Sequence, residues 1–172
     1  DCDRVVVASG RAGCVPTFFD SAVGGTGTNP LAALGAGFNR IKIGEPVLVD
    51  IVHVHRGYIT DMTRMFSVGS LAEEWIQRLD DMEEIAEALR QSLARGEDCS
   101  SAWDLGSKMA TEMGHGGHLM GMQPDQARFL GHSIGLELDE TPVIAAGFNR
   151  PLPVGGTMAI EPKVIHPEGT IG

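Results

Sequence analysis

Between Glu45 and Gly69 the chain reads EPVLVDIVHVHRGYITDMTRMFSVG, two apolar runs separated by a short polar connection. β-Branched and aromatic residues dominate both runs, Val47–Val54 and Tyr58–Val68, and a Gly sits in the connection around His55-Arg56-Gly57, so the stretch predicts a β-hairpin. Upstream, residues 4–9 (RVVVAS) read as a short buried strand ending at Gly10, followed by a long Gly-, Pro-, Ser- and Thr-rich loop to about residue 37. Downstream, Leu71, Trp75, Leu79, Met82, Ala86, Leu89 and Leu93 keep three-to-four spacing, which predicts an amphipathic helix over Leu71 to Arg95. Ser70 with Glu73 forms a candidate capping box and Gly96 a candidate stop. A second helix is expected from about Ser100 to Glu112, and short strands are expected again around His132. Strands, two helices, then strands make an α/β (α+β) chain.

At 172 residues the chain is long enough to bury a core as one domain, and 42% hydrophobic with 21% charged residues is an ordinary globular composition. The formal net charge of −10 argues against nucleic acid and anionic membrane surfaces as partners. The three cysteines, Cys2, Cys14 and Cys99, show no C-x-x-C spacing, which suits a reducing compartment and a cytoplasmic location. No apolar run approaches the roughly 20 residues of a membrane span. Gly24-Gly25-Thr26-Gly27 lacks the Lys-Ser/Thr of a phosphate loop, so nucleotide binding is set aside.

Asp50 and Asp61 lie eleven residues apart, one on each run of the hairpin. With an even loop, for instance His55-Arg56, positions summing to 111 face one another, and the two carboxylates meet on one face with Cβ atoms roughly 5 Å apart. An odd loop separates them onto opposite faces. A carboxylate pair on an apolar sheet needs a shared proton or a cation; the alternative is that one Asp is a solvated turn or edge residue. His53 and His55 point away from Asp50 on a regular strand. His115 and His118, set among glycines with no acidic neighbour in sequence, read as solvated loop residues, and the acids Asp80, Asp81, Glu83, Glu84 and Glu87 as the wet face of the first helix.

The stretch VDI-(x)5-GYITDMTRMFSVG resembles the metal-binding hairpin of the pita-bread metallopeptidases, the family of methionine aminopeptidases, Xaa-Pro aminopeptidases and prolidases, and its G-Y-x-x-D-x-T-R form is most similar to the Xaa-Pro branch. Two further stretches agree in order: Gly131-His132-Ser133-Ile134-Gly135 through Glu140-Thr141-Pro142, and Gly156-Thr157-Met158-Ala159-Ile160-Glu161-Pro162. The resemblance implies a pita-bread fold, a curved antiparallel sheet flanked by helices with pseudo-twofold halves. It implies that Asp50 chelates one metal ion, Asp61 bridges two, and His132 and Glu161 complete one ion's shell. Glu161 also handles the proton of an attacking hydroxide held by two divalent ions, Mn, Co, Fe or Zn. The substrate would be a peptide losing its N-terminal residue, with Xaa-Pro peptides a candidate, and the assembly a homodimer. The family's fifth ligand and its opening helices find no counterpart in the sequence, so the resemblance implies a domain over residues 1–172 that is incomplete at both ends.

Two positions depart from the pattern. Thr17 stands where a substrate-contacting His is expected after Ser9-Gly10-Arg11-Ala12-Gly13-Cys14, and Asp139 stands where a second His would steady the tetrahedral intermediate. An ionised carboxylate cannot donate to a developing oxyanion; only a protonated Asp139 could. Arg128 also replaces a His that is frequent in the Xaa-Pro branch. The leading expectation is therefore a metal-dependent aminopeptidase or dipeptidase. The alternatives are a non-catalytic pita-bread binding module and a metal-free creatinase-like hydrolase. Both would leave facing carboxylates without a cation.

Overall fold

The computed structural model of the chain describes residues 4–17, 21–22 and 24–172; Cys2 lies outside them, and Cys14 and Cys99 are free thiols. The hairpin forms β2 (Val47–His55) and β3 (Tyr58–Phe66), with β1 (Arg4–Ser9) antiparallel on the far side of β2. The connection is the two-residue turn Arg56-Gly57, in which both residues are left-handed (φ 53° and 85°), the pair of angles that matches the twist of the flanking strands. That turn lies one residue later than expected and so shifts the expected pairing by two residues. Asp50 lies opposite Thr63 and Asp61 opposite Val52, so the two aspartates share a face but are diagonal neighbours, not a directly facing pair.

The loop after β1 contains two 3-10 turns, Gly10–Cys14 and Pro30–Ala32. Helix α1 runs Glu73–Ala94 and α2 runs Cys99–Glu112. The expected capping box does not form. The N-cap position falls on Ala72, without a side-chain bond, because the helix starts too late for the Ser70 hydroxyl to reach its first turn. Glu73 and Glu74 instead place negative charge against the helix dipole. Gly96 (φ 79°) ends α1 as predicted, with its N–H on the Leu93 carbonyl.

Met82, Ile85 and Leu89 on α1 are buried against Ala102 and Ala110 of α2 and against Leu130 and Ile144. Gly106 lets the helices approach this closely: a Cβ there would stand 2.5 Å from Leu130 Cδ1 and 3.2 Å from Leu89 Cδ2. A second three-stranded sheet follows, with β4 (Gly131–Ser133) between β5 (Glu140–Val143) and β6 (Met158–Ile160), and then the hairpin of β7 (Val164–His166) and β8 (Gly169–Ile171). Gly131 is required by close approach, since a side chain would strike the Ala159 carbonyl oxygen on β6. The two sheets meet where Val52 and Ile59 pack on Ile134 and the Ile59 N–H donates to the Gly135 carbonyl at 2.8 Å. This junction carries the shared face of Asp50 and Asp61 toward β4 and β6. Among the described residues no helix is long and apolar enough to cross a membrane.

Candidate metal centre

Four elements converge on one small cavity of about 60 Å³, lined by Asp50 and Val52 of β2, Asp61 of β3, His132 of β4, and Asp139 and Glu161 among others. Alternation along the hairpin strands turns Asp50 and Asp61 inward. His132 sits between the two neighbours of β4, buried at 3% exposure. Glu161 follows directly on β6.

One atom each from Asp61, His132 and Glu161 lie within 4.8 Å of one another, a spacing that suits ligands of a single cation. The His132 Nε2 is 3.3 Å from Glu161 Oε1 and 3.7 Å from Asp61 Oδ2. Its Nδ1 lies 3.1 Å from the Ser133 carbonyl, which requires a donated N–H there and leaves Nε2 to face the carboxylates. Without a cation, that imidazole is best satisfied as the charged form: burial works against the charge, but the Asp61 and Glu161 carboxylates prevail and push its pKa up to about 10. Asp50 shows the opposite strain. Burial, with Asp61 and Glu161 nearby, lifts its carboxyl to about 6 against the relief offered by Lys163, and its Oδ1 is buried with no hydrogen-bond partner.

Lys163 is the residue that sequence reasoning missed. It is fully buried, and its ammonium bonds Glu161 Oε2. Burial opposes ionisation of both groups, yet Lys163 and His132 hold Glu161 low, and Glu161 with Asp50 and Asp61 holds the lysine charged. Positions 161 and 163 share a side of an extended segment, so the spacing itself was a signal that Glu161 has a cationic neighbour.

The substrate-side expectations divide. Asp139 reaches the site, with Oδ1 3.5 Å from His132 Nε2 and its side chain 73% exposed at the cavity rim. Thr17 does not line the cavity; its hydroxyl donates to the Ser21 carbonyl at 3.2 Å. His53 and His55 are exposed and do not line the cavity, and Arg128 is exposed as well.

The histidines read as solvated are not. His115 Nε2 is 2.7 Å from Asp81 Oδ2 on α1, and both are largely buried. His118 stacks on His166 with ring centroids 4.0 Å apart and bonds the Ile165 carbonyl through Nδ1 at 2.7 Å. Asp81 is thereby removed from the wet face of α1. Sequence neighbours gave no sign of it, since Asp81 and His166 come from distant elements.

A largely enclosed cluster of two carboxylates and an imidazole that could hold a cation, set on paired antiparallel sheets, is a kind of site that metal-dependent hydrolases use. The chain belongs to metallopeptidase family M24, whose family model matches residues 3–172, and its fold is the mixed α/β pita-bread fold. The chain is 28% identical over 159 residues to the Xaa-Pro dipeptidase of Lactobacillus delbrueckii subsp. lactis, an alignment covering 91% of this chain and 41% of that protein. It is 28% identical over 153 residues to the Xaa-Pro dipeptidase of Pyrococcus furiosus, covering 87% of this chain and 41% of the relative. The chain thus spans well under half the length of these curated relatives. Among solved structures, a prolidase from Thermococcus sibiricus superposes with a TM-score of 0.77 at 23% identity, over 97% of this chain and 40% of that one.

Proposed function

We propose that this chain carries the metal-binding core of a peptidase that removes an N-terminal residue from peptides, with Xaa-Pro dipeptides as its substrate class. The observation that supports it most is the convergence of Asp61, His132 and Glu161 within 4.8 Å beside an Asp50 whose buried Oδ1 lacks a partner. The donor set fits divalent cations: carboxylates and an imidazole with no thiolate suit Mn²⁺, Co²⁺, Fe²⁺ or Zn²⁺. Asp50, Asp61, His132 and Glu161 would hold a pair of such ions, which when bound lower the pKa of water and supply a nucleophile at neutral pH.

The chain's own residues do the rest. The His132 Nδ1–H, fixed on the Ser133 carbonyl, aims Nε2 into the cluster. Glu161 is kept ionised by Lys163 and His132 and so presents a carboxylate, not an acid, to the centre; handling of the proton of the attacking water is assigned to it by its place in the cluster. Asp139 stands at the exposed rim, where a peptide enters, and acts on substrate orientation or on its N-terminal amine. That the similar proteins above are Xaa-Pro dipeptidases supports the Xaa-Pro preference.

The test is hydrolysis of a panel of Xaa-Pro and Met-Xaa peptides by the full natural chain, with Mn²⁺ or Co²⁺ and a chelated control. Metal-dependent release of the N-terminal residue is expected. Asp61→Asn removes a charged ligand from the centre, so it is expected to weaken metal binding by a hundredfold or more, on the order seen when such shells are disturbed, and to abolish hydrolysis. Undiminished activity in that variant would sink the mechanism.

A further inference from the structure

Asp139 sits in a loop that is held from within. The Leu136 and Glu137 N–H groups both donate to Glu140 Oε1, at 2.8 and 2.9 Å, and the Gly135 N–H donates to the Glu137 carbonyl at 3.2 Å. On one flank Leu138 packs against Val52, Ile59 and Ile134. On the other, Glu140 opens β5 opposite Ser133, whose hydroxyl donates to the Pro142 carbonyl at 2.8 Å. The backbone at 139 is therefore fixed between two anchored neighbours, while the side chain is 73% exposed. Water is open to this carboxylate, yet it stands over His132.

Three carboxylates surround one nitrogen there. His132 Nε2 is 3.3 Å from Glu161 Oε1, 3.5 Å from Asp139 Oδ1 and 3.7 Å from Asp61 Oδ2. Asp139 is thus nearer to the metal-facing nitrogen than Asp61, which already belongs to the three-donor cluster. Asp139 is not among the donors that lie within 4.8 Å of one another, so it reaches a shared ion by turning about its own side-chain bonds. Its exposure leaves it free to turn. A carboxylate in this place cannot serve as a hydrogen-bond donor, and what it can do at the mouth of a cation site is bind the cation.

We propose that Asp139 is a further ligand of the ion held by Asp61, His132 and Glu161, closing the side of the centre that faces the rim. The inference rests on the metal-centre reading above and adds a donor to it. A peptide entering from the rim displaces a carboxylate of this chain before it reaches the cluster. Once displaced, the same carboxylate is free to meet the peptide's N-terminal amine.

The experiment is calorimetric titration of the metal-free full chain with Mn²⁺, for wild type, Asp139→Asn and Asp139→Ala, each at 0.1 M and 1 M salt. Both variants are expected to bind Mn²⁺ more weakly by at least the roughly tenfold to hundredfold that follows loss of a group one step removed from a metal. The melting temperature of the metal-free chain is expected to stay that of wild type, because the side chain is exposed. Salt separates a bond from a charge acting through space. At 1 M the screening length is about 3 Å, so an effect of charge alone shrinks there, whereas the loss of a direct ligand persists. Unchanged affinity in the two variants overturns the proposal, and so does a difference from wild type that vanishes at 1 M salt. Wild type that binds no Mn²⁺ overturns the metal-centre reading itself, which separates the two failures.

Discussion

His166, at the end of β7, is held neutral by its surroundings, and the stability of the fold should register that as pH falls. Its ring stacks on His118 with centroids 4.0 Å apart and meets Trp75 edge-on at 6.1 Å, and its Nε2 is buried with no partner. Arg78 lies over the same Trp75 ring at 4.4 Å. Burial first, then the positive fields of Arg78, His118 and His115, push the His166 pKa from an ordinary 6.5 down to about 4. The unfolded chain therefore takes up a proton on this residue below about pH 6.5, while the folded chain resists until about pH 4. The contribution is fully present above pH 6.5, drains away between 6.5 and 4, and changes no further below that. The gap corresponds to a ceiling of about 3 kcal/mol, which solvent screening at the open edge of the ring reduces to roughly 1–2 kcal/mol. Asp81, its carboxyl lowered against burial by the His115 and Gln77 hydrogen bonds, titrates below its ordinary 3.8 and so outside this window. Urea unfolding of wild type and His166→Phe in chelator at pH 7 and pH 4.5 isolates the residue, since groups common to both chains cancel. The phenyl ring keeps the stack and cannot be protonated. Its loss of stability between the two pH values is expected to be smaller than wild type's by roughly 1–2 kcal/mol. Equal losses in the two proteins would refute the reasoning.

Leu89 is fully buried where α1 meets Gly106 of α2 and Leu130. Leu89→Ala is expected to cost about 3 kcal/mol in urea unfolding through the cavity it leaves, and a loss below about 1 kcal/mol would show that the helix pair collapses into the space. Asp139→His replaces a rim carboxylate 3.5 Å from His132 by a group that can donate a hydrogen bond. Its kcat/KM on Xaa-Pro peptides is expected to rise on the order of tenfold to a hundredfold, and an unchanged value would place the limitation elsewhere, with Thr17 the next position to restore.

What the sequence revealed was local and periodic. The strand runs and the two helices follow from alternation and three-to-four spacing, which need only neighbours in the chain, whereas the shared face of Asp50 and Asp61 waited on the parity of the hairpin loop. The register of the hairpin depended on which two residues take positive φ. Arg56 did so with Gly57, and a non-glycine residue in that conformation has no periodic signature. The Ser70 cap failed for a similar reason, as the helix begins two residues later than the capping pattern suggests. The histidines were misread because their partners are remote: Asp81 lies 34 residues before His115, and Ile165 lies 47 after His118. The convergence of Asp61, His132 and Glu161 was legible only through the family resemblance, since three strands from distant parts of the chain bring them together.

Lys163 changes what the buried carboxylates mean. Read from sequence, Asp50, Asp61 and Glu161 call for a cation, and that need counts against any pita-bread chain that works without metal. The structure supplies one cation from within the chain, so the mere survival of three acids no longer separates a metal centre from a metal-free module. The unmet demand does separate them. Lys163 satisfies Glu161 Oε2 but makes no bond to Asp50 Oδ1, which stays buried without a donor while its carboxyl is pushed up to about 6. His132, with Nδ1 committed to the Ser133 carbonyl, directs Nε2 at the same group of oxygens. A lysine that merely replaced the metals would leave no orphan acceptor. The Asp50 oxygen remains one after the internal charges of Lys163 and His132 are counted, and it is what an added divalent cation would satisfy.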